Sequence, residues 1–202
     1  MNLTPHIRCL VLLLLVGIQS QSYSQPIPQV KSMKPNSLAH CMESIQQGDL
    51  SEWQGLPMDL NLPQINAVLG TPVRQGGYVI SSKLCTLSRY ALEGQSQPLQ
   101  VFKDESGAVL LFRLEDPLLL HSANELVERW GEPDQKRILP NDHPYAPSSQ
   151  WIFARRGVTL YVMDAAKKEY LSLLAASFYA PTEADLYLRQ LGGNERVRFS
   201  RF

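Results

Sequence analysis

The sequence has no surplus of either charge, few cysteines and, beyond its first eighteen residues, no long apolar run. Of 202 residues, 19 are Lys or Arg and 19 are Asp or Glu, so the formal net charge is zero. Such a chain has no broad positive field to attract a phosphate backbone, and nucleic acid is not expected as a partner. No segment after Ile18 is apolar enough over some 20 residues to span a bilayer, so no transmembrane helix is expected in the mature chain. Gly-x-Ser-x-Gly, Walker, dinucleotide-binding and His-Glu-x-x-His patterns are all lacking. His40, His121 and His143 stand apart from one another and from Cys or Glu at ligand spacing. No metal and no cofactor is therefore expected. The carboxylates Glu115-Asp116 and Glu132/Asp134 fall in turns, where solvation accounts for them, and Asp134 is a candidate backbone acceptor. With no catalytic constellation, the expectation is a protein that is not an enzyme.

What is present first is a leader. Met1–Arg8 is short and weakly basic, Cys9–Ile18 is apolar, and Ser20–Ser24 is small and polar. That order reads as a signal peptide over 1–24, and ten apolar residues cover only about half of a bilayer core. A periplasmic or secreted location follows, with about 178 residues remaining if the cut falls after Ser24. Cys9 lies at the front of the apolar run, which does not suit a lipid-modified N-terminus. Two cysteines then remain, Cys41 and Cys85. In an oxidising compartment such an isolated pair is expected to form one disulfide. The alternative, a reactive thiol beside His40, suffers because neighbours on one helix point apart.

Residues 25–36 carry Pro26, Pro28 and Pro35 and read as a linker. Ser37 can cap a helix running to about Gln47 and stopped by Gly48. Thereafter the chain repeats with a shift of 61. Leu69-Gly70, Trp130-Gly131 and Leu191-Gly192 are in one register, as are Leu62/Ala123/Ala184 and Ile65/Leu126/Tyr187. The spacing is that of a short amphipathic helix closed by a glycine cap, with Pro72 and Pro133 just beyond the first two. The same shift aligns period-two runs: Tyr90 and Leu92 on Trp151 and Phe153, Leu99 and Val101 on Leu160 and Val162, and Leu110, Phe112 and Leu114 on Leu171, Leu173 and Ala175. The expected fold class is α+β: two tandem units, each a short helix on an antiparallel sheet of about four strands, with a C-terminal helix. The expected divisions are 37–117 for the first unit, 118–181 for the second and 182–202 for the closing helix and basic tail.

The stretch Leu62–Pro72, with its Leu-Gly-x-Pro turn, and the matching Glu125–Pro133 resemble the SmpA/OmlA outer-membrane-assembly lipoproteins. Two such units in tandem are similar to the β-lactamase inhibitory proteins. The resemblance implies a helix-plus-sheet fold and a protein partner in the envelope or outside the cell.

Positions apolar in both copies read as core. Positions of the opposite parity are expected on an uncovered sheet face: Arg89, Phe102, Arg113, Tyr161, Met163 and Tyr170. Arg, Met and aromatic groups are enriched at protein interfaces, so these six are candidate partner-binding residues. A turn-rich loop at 140–147, particular to the second copy, offers Asp142, His143 and Tyr145. The reading that results is a secreted or periplasmic non-catalytic binding module, acting as an inhibitor, immunity-type factor or assembly accessory. The alternative is an envelope enzyme or small-ligand binder using the 140–147 loop. A third reading, a small outer-membrane barrel, rests on the terminal Phe202 after alternating residues.

Overall fold

The computed structural model describes residues 37–139, 148–163 and 172–192. The leader, the linker, the 140–147 loop with Asp142, His143 and Tyr145, and Tyr170 lie outside the described residues.

Local signals are used much as the sequence suggests. Ser37 caps α1 (Leu38–Gln47), with its side chain accepting from His40 N, and Gly48 closes it in the left-handed conformation. A second helix, α2 (Leu62–Leu69), starts with a capping box in which Asn61 and Gln64 serve one another's backbone N–H. Ser122 and Glu125 do the same for α3 (Ala123–Trp130). The helix expected near Thr182–Leu191 is a four-residue α4 (Ala184–Tyr187) continued by a π-helical turn at Leu188–Gly192.

Eight antiparallel strands make one continuous sheet. They are β1 (Arg74–Ile80), β2 (Lys83–Tyr90), β3 (Leu99–Lys103), β4 (Val109–Glu115), β5 (Gln135–Leu139), β6 (Ser148–Phe153), β7 (Val158–Met163) and β8 (Ser172–Phe178). Their order is β1-β2-β3-β4-β8-β7-β6-β5. The expected separate four-stranded sheets are joined edge to edge through β4 and β8, where Phe112 opposes Phe178 and Leu114 opposes Ala176. The sheet is open, with β1 and β5 at its edges, so these strands do not close into a barrel. No helix among the described residues is long and apolar enough to cross a membrane.

Period-two alternation divides the sheet into two faces. The first face carries the main core: Tyr90, Val101, Phe112, Leu160, Val162 and Phe178 pack with Cys41, Met42 and Ile45 of α1, Ile65 of α2 and Leu126 of α3. Trp53 lies 4.9 Å from Phe178, and Trp130 meets Phe153 edge-on at 5.2 Å. Gln95 fastens the β2–β3 loop over this layer. Its amide donates to Ile45 O at 2.7 Å and to Leu118 O at 3.2 Å, while its carbonyl accepts from Leu118 N at 2.9 Å.

Two expectations fail here. Cys41 and Cys85 are free thiols, not a disulfide. Cys41 belongs to the helix-side core and donates to Gly55 O, whereas Cys85 belongs to the cluster on the other face and donates to Tyr78 O. The sheet stands between them. In addition, Leu110 does not share a face with Phe112. A register shift at Phe102/Lys103, opposite Val109 to Leu111, turns Leu110 toward the second cluster.

Candidate functional site

The second face of the sheet is where the parity argument put its candidate residues. Cross-strand partners share a face, and partners can be followed across all eight strands. Arg74 opposes Arg89, Arg89 opposes Gln100, and Gln100 opposes Arg113. Arg113 opposes Ser177, Ser177 opposes Thr159, Thr159 opposes Ile152, and Ile152 opposes Gln135. A neighbouring row runs Glu115, Ala175, Tyr161, Gln150, Arg137. Arg89, Phe102, Arg113, Tyr161 and Met163 therefore all sit on this face.

The face is not uncovered, however. Its own apolar cluster contains Ile80, Cys85, Leu87, Phe102, Leu111, Ile152, Tyr179 and Tyr187, with Ala184, Leu188 and Leu191 of the C-terminal helical segment packed on it. Phe102 is 2% exposed, Arg113 5% and Tyr161 0%. Those three are packing residues in this arrangement. The closing helix's stripe at 184, 187, 188 and 191 was the available signal that it covers a face.

Polar groups buried under this cover are organised around Tyr161. The Arg113 guanidinium lies 4.9 Å from the centre of its ring. Gln150 Nε2 donates to the Tyr161 hydroxyl at 3.3 Å and to that of Tyr187 at 3.4 Å. Tyr187 stacks on Tyr179 at 4.3 Å, and the Tyr179 hydroxyl shares a 2.9 Å hydrogen bond with Thr159 and donates to Val158 O. Burial pushes the Tyr179 hydroxyl far above its ordinary value, so it stays protonated. Sequence reasoning missed Gln150, Thr159, Ser177, Tyr179 and Tyr187 as polar members of this layer.

What stays open is the rim. Arg74 is exposed, Arg89, Gln100, Arg137 and Met163 are half-buried, and Tyr78, which meets Phe102 edge-on at 5.2 Å, is 39% exposed. Charge is unevenly shared. The strands hold Arg74, Lys83, Arg89, Lys103, Arg113, Lys136 and Arg137 against one carboxylate, Glu115. The remaining acids among the described residues lie outside the strands.

Other candidates are accounted for structurally. His121 Nε2 approaches Asp49 Oδ1 at 3.7 Å. Asp134 accepts from Arg155 N at 3.2 Å, as a backbone acceptor reached across 21 residues and not locally. No group of three metal-ligating side chains occurs among the described residues. A shallow depression lined by Gly77, Leu84, Cys85, Thr86 and Glu105 holds no convergent polar constellation.

No protein-family model matches this sequence, and neither does any curated protein. Among solved structures, it is similar to a DUF4309-family protein (YjgB) from Bacillus subtilis. The identity is 11%, the TM-score is 0.41, and the match covers 70% of this chain and 97% of that one.

Proposed function

We propose that the chain is a non-catalytic envelope or secreted binding protein that docks another protein through the rim of the second sheet face. One observation carries the reading: the second face keeps interface-type groups half-buried or exposed at both ends of a rigid sheet, Arg74, Tyr78 and Arg89 on β1–β2 and Met163 and Arg137 on β7 and β5. Arginine and aromatic groups held on regular elements are the residue types that anchor protein interfaces. A signal peptide over 1–24 places the protein in the periplasm or outside the cell in this reading. The partner is an envelope or secreted protein, and the role is inhibitory, immunity-type or assembly-related.

We further infer that the fold descends from two tandem units related by a shift of 61. Register supports this. Tyr90 opposes Leu99 as Trp151 opposes Leu160, and Val101 opposes Phe112 as Val162 opposes Leu173. Each pair maps onto the next by adding 61 to both numbers. Divisions at 37–117, 118–181 and 182–202 accompany this reading.

The test is capture of a stoichiometric partner from cell-envelope extract by the full chain secreted in its own host, compared with Arg89→Glu/Met163→Glu. Both side chains are half-buried at the rim, so the variant should fold and lose the partner. Arg113 and Tyr161 are unsuitable for this purpose because they are buried. Retention of the partner by the rim variant sinks the docking face. Absence of any partner, with an activity lost on Asp142→Ala/His143→Ala, favours the envelope enzyme or small-ligand binder instead.

A further inference from the structure

We propose that the row Arg74–Arg89–Gln100, which ends against the buried Arg113, is a reader of acidic protein segments, gripping carboxylates of an extended strand laid across β1–β3. This deepens the docking reading and rests on it.

Three observations point to an anionic occupant. Arg74 and Arg89 are direct cross-strand partners on one face, and like charges so placed oppose folding unless an anion lies between them. Among the described residues neither guanidinium lies within ion-pair distance of a carboxylate; the ion pairs formed there involve His121, Lys136 and Arg155. Finally, on β1–β4 the second face carries Arg74, Lys83, Arg89 and Arg113 against one carboxylate, Glu115, which makes this end of the face a local positive field on a neutral molecule.

The geometry favours a peptide over a point anion. Three residues on adjacent strands span about 10 Å at the usual inter-strand spacing. That length matches about three residues of extended chain, whose alternate side chains face the same way. Arg74 and Arg89 each present a fork suited to bidentate carboxylate binding. Gln100 adds an amide between Arg89 and the stacked Arg113, which closes the row at its buried end. Tyr78, two residues along β1 from Gly76, stands on the same face and supplies an apolar edge.

The experiment uses the full chain as secreted and a fluorescent ten-residue peptide with glutamate at alternate positions, read by anisotropy at low and at about 150 mM salt. Single-stranded DNA of six nucleotides, with five phosphodiester charges against the peptide's five glutamates, serves as an equally charged probe of different class. Expected is peptide binding that weakens about tenfold in Arg74→Ala and again in Arg89→Ala, less so in the Lys variants, with thermal melts level or raised as the like-charge pair is relieved. A control pair, Arg129→Ala/Arg155→Ala, removes the same charge elsewhere and should leave binding within about twofold. No peptide binding, equal loss in the control, or DNA bound as well as peptide would each overturn the proposal. If the envelope partner is still captured by the wild type and lost in Arg89→Glu/Met163→Glu while the peptide fails to bind, the docking face stands and the acidic reader does not.

Discussion

Tyr161 illustrates how far burial changes the meaning of an interface-type residue. Its ring is wholly enclosed, lies under the Arg113 guanidinium at 4.9 Å, and its hydroxyl accepts from Gln150 at 3.3 Å. Truncation to alanine removes an aromatic ring from a packed layer, costing about 3–5 kcal/mol. The lost cation–π contact is included in that range and is itself worth about 1–2 kcal/mol at a desolvated site. Tyr161→Phe keeps the ring and loses the hydrogen bond from Gln150, at about 1 kcal/mol. For a folded region of this size, about 4 kcal/mol corresponds to a melting temperature lower by roughly 8–16 °C. Urea unfolding of wild type, Tyr161→Ala, Tyr161→Phe, Arg113→Ala and the double alanine variant measures each term. The cycle should return a coupling of about 1 kcal/mol between Arg113 and Tyr161. If Tyr161→Ala stays within about 1 kcal/mol of the wild type, the ring is not structural and the face is open after all.

Three other outcomes are expected. Gly157 has φ 63°, and an added Cβ would fall 2.1 Å from Tyr179 O, whereas Gly107 has φ 84° with nothing within 4 Å. Gly157→Ala should therefore cost several kcal/mol and Gly107→Ala only about 1 kcal/mol in chemical unfolding; equal losses would show that the contact at Tyr179 relaxes freely. Ser122→Ala removes the side-chain acceptor for Glu125 N and should lower stability by about 1 kcal/mol, a loss that Ser122→Asp should largely avoid in thermal melts. Burial pushes the Cys41 thiol up to about 11 from 9.0. A raised folded-state value means that stability is full below the unfolded thiol range and declines as pH climbs from about 9 toward 11. Cys41→Ala should flatten that decline in urea midpoints, and both Cys41 and Cys85 should alkylate after unfolding without reductant.

The helices were legible because their signals are local. The stripes from Leu62 and Ala123 mark α2 and α3, and Gly70 and Gly131 mark their ends, while the capping boxes at Asn61/Gln64 and Ser122/Glu125 emerge only in the structure. Alternation also assigned Arg89, Phe102, Arg113, Tyr161 and Met163 to one face correctly. What the sequence did not reveal is non-local. Pairing of β4 with β8 leaves no mark on either strand, since Phe112 and Leu114 would suit an edge facing any neighbour. The bulge opposite Val109–Leu111 reverses parity for Leu110 without a glycine to announce it. Cys41 and Cys85 looked paired because an even count carries no information about which side of a sheet each occupies. The candidate face was identified by period, but its covering by Tyr187, Leu188 and Leu191 depends on where a distant helix lands.

The seam between β4 and β8 also bears on how the chain is made. As residues emerge in order, β1 to β4 can pair as a meander, but β4 keeps one row of backbone donors and acceptors unmatched until β8 arrives. The end of β4 and the start of β8 are 57 residues apart (172 − 115). Throughout that interval the nascent chain shows an open, largely apolar strand edge, the template on which neighbouring chains pair. A product ending before Ser172 keeps that edge permanently. Translocation in an unfolded state, or a holding chaperone until residue 178 is out, would defer the exposure until β8 can cover it.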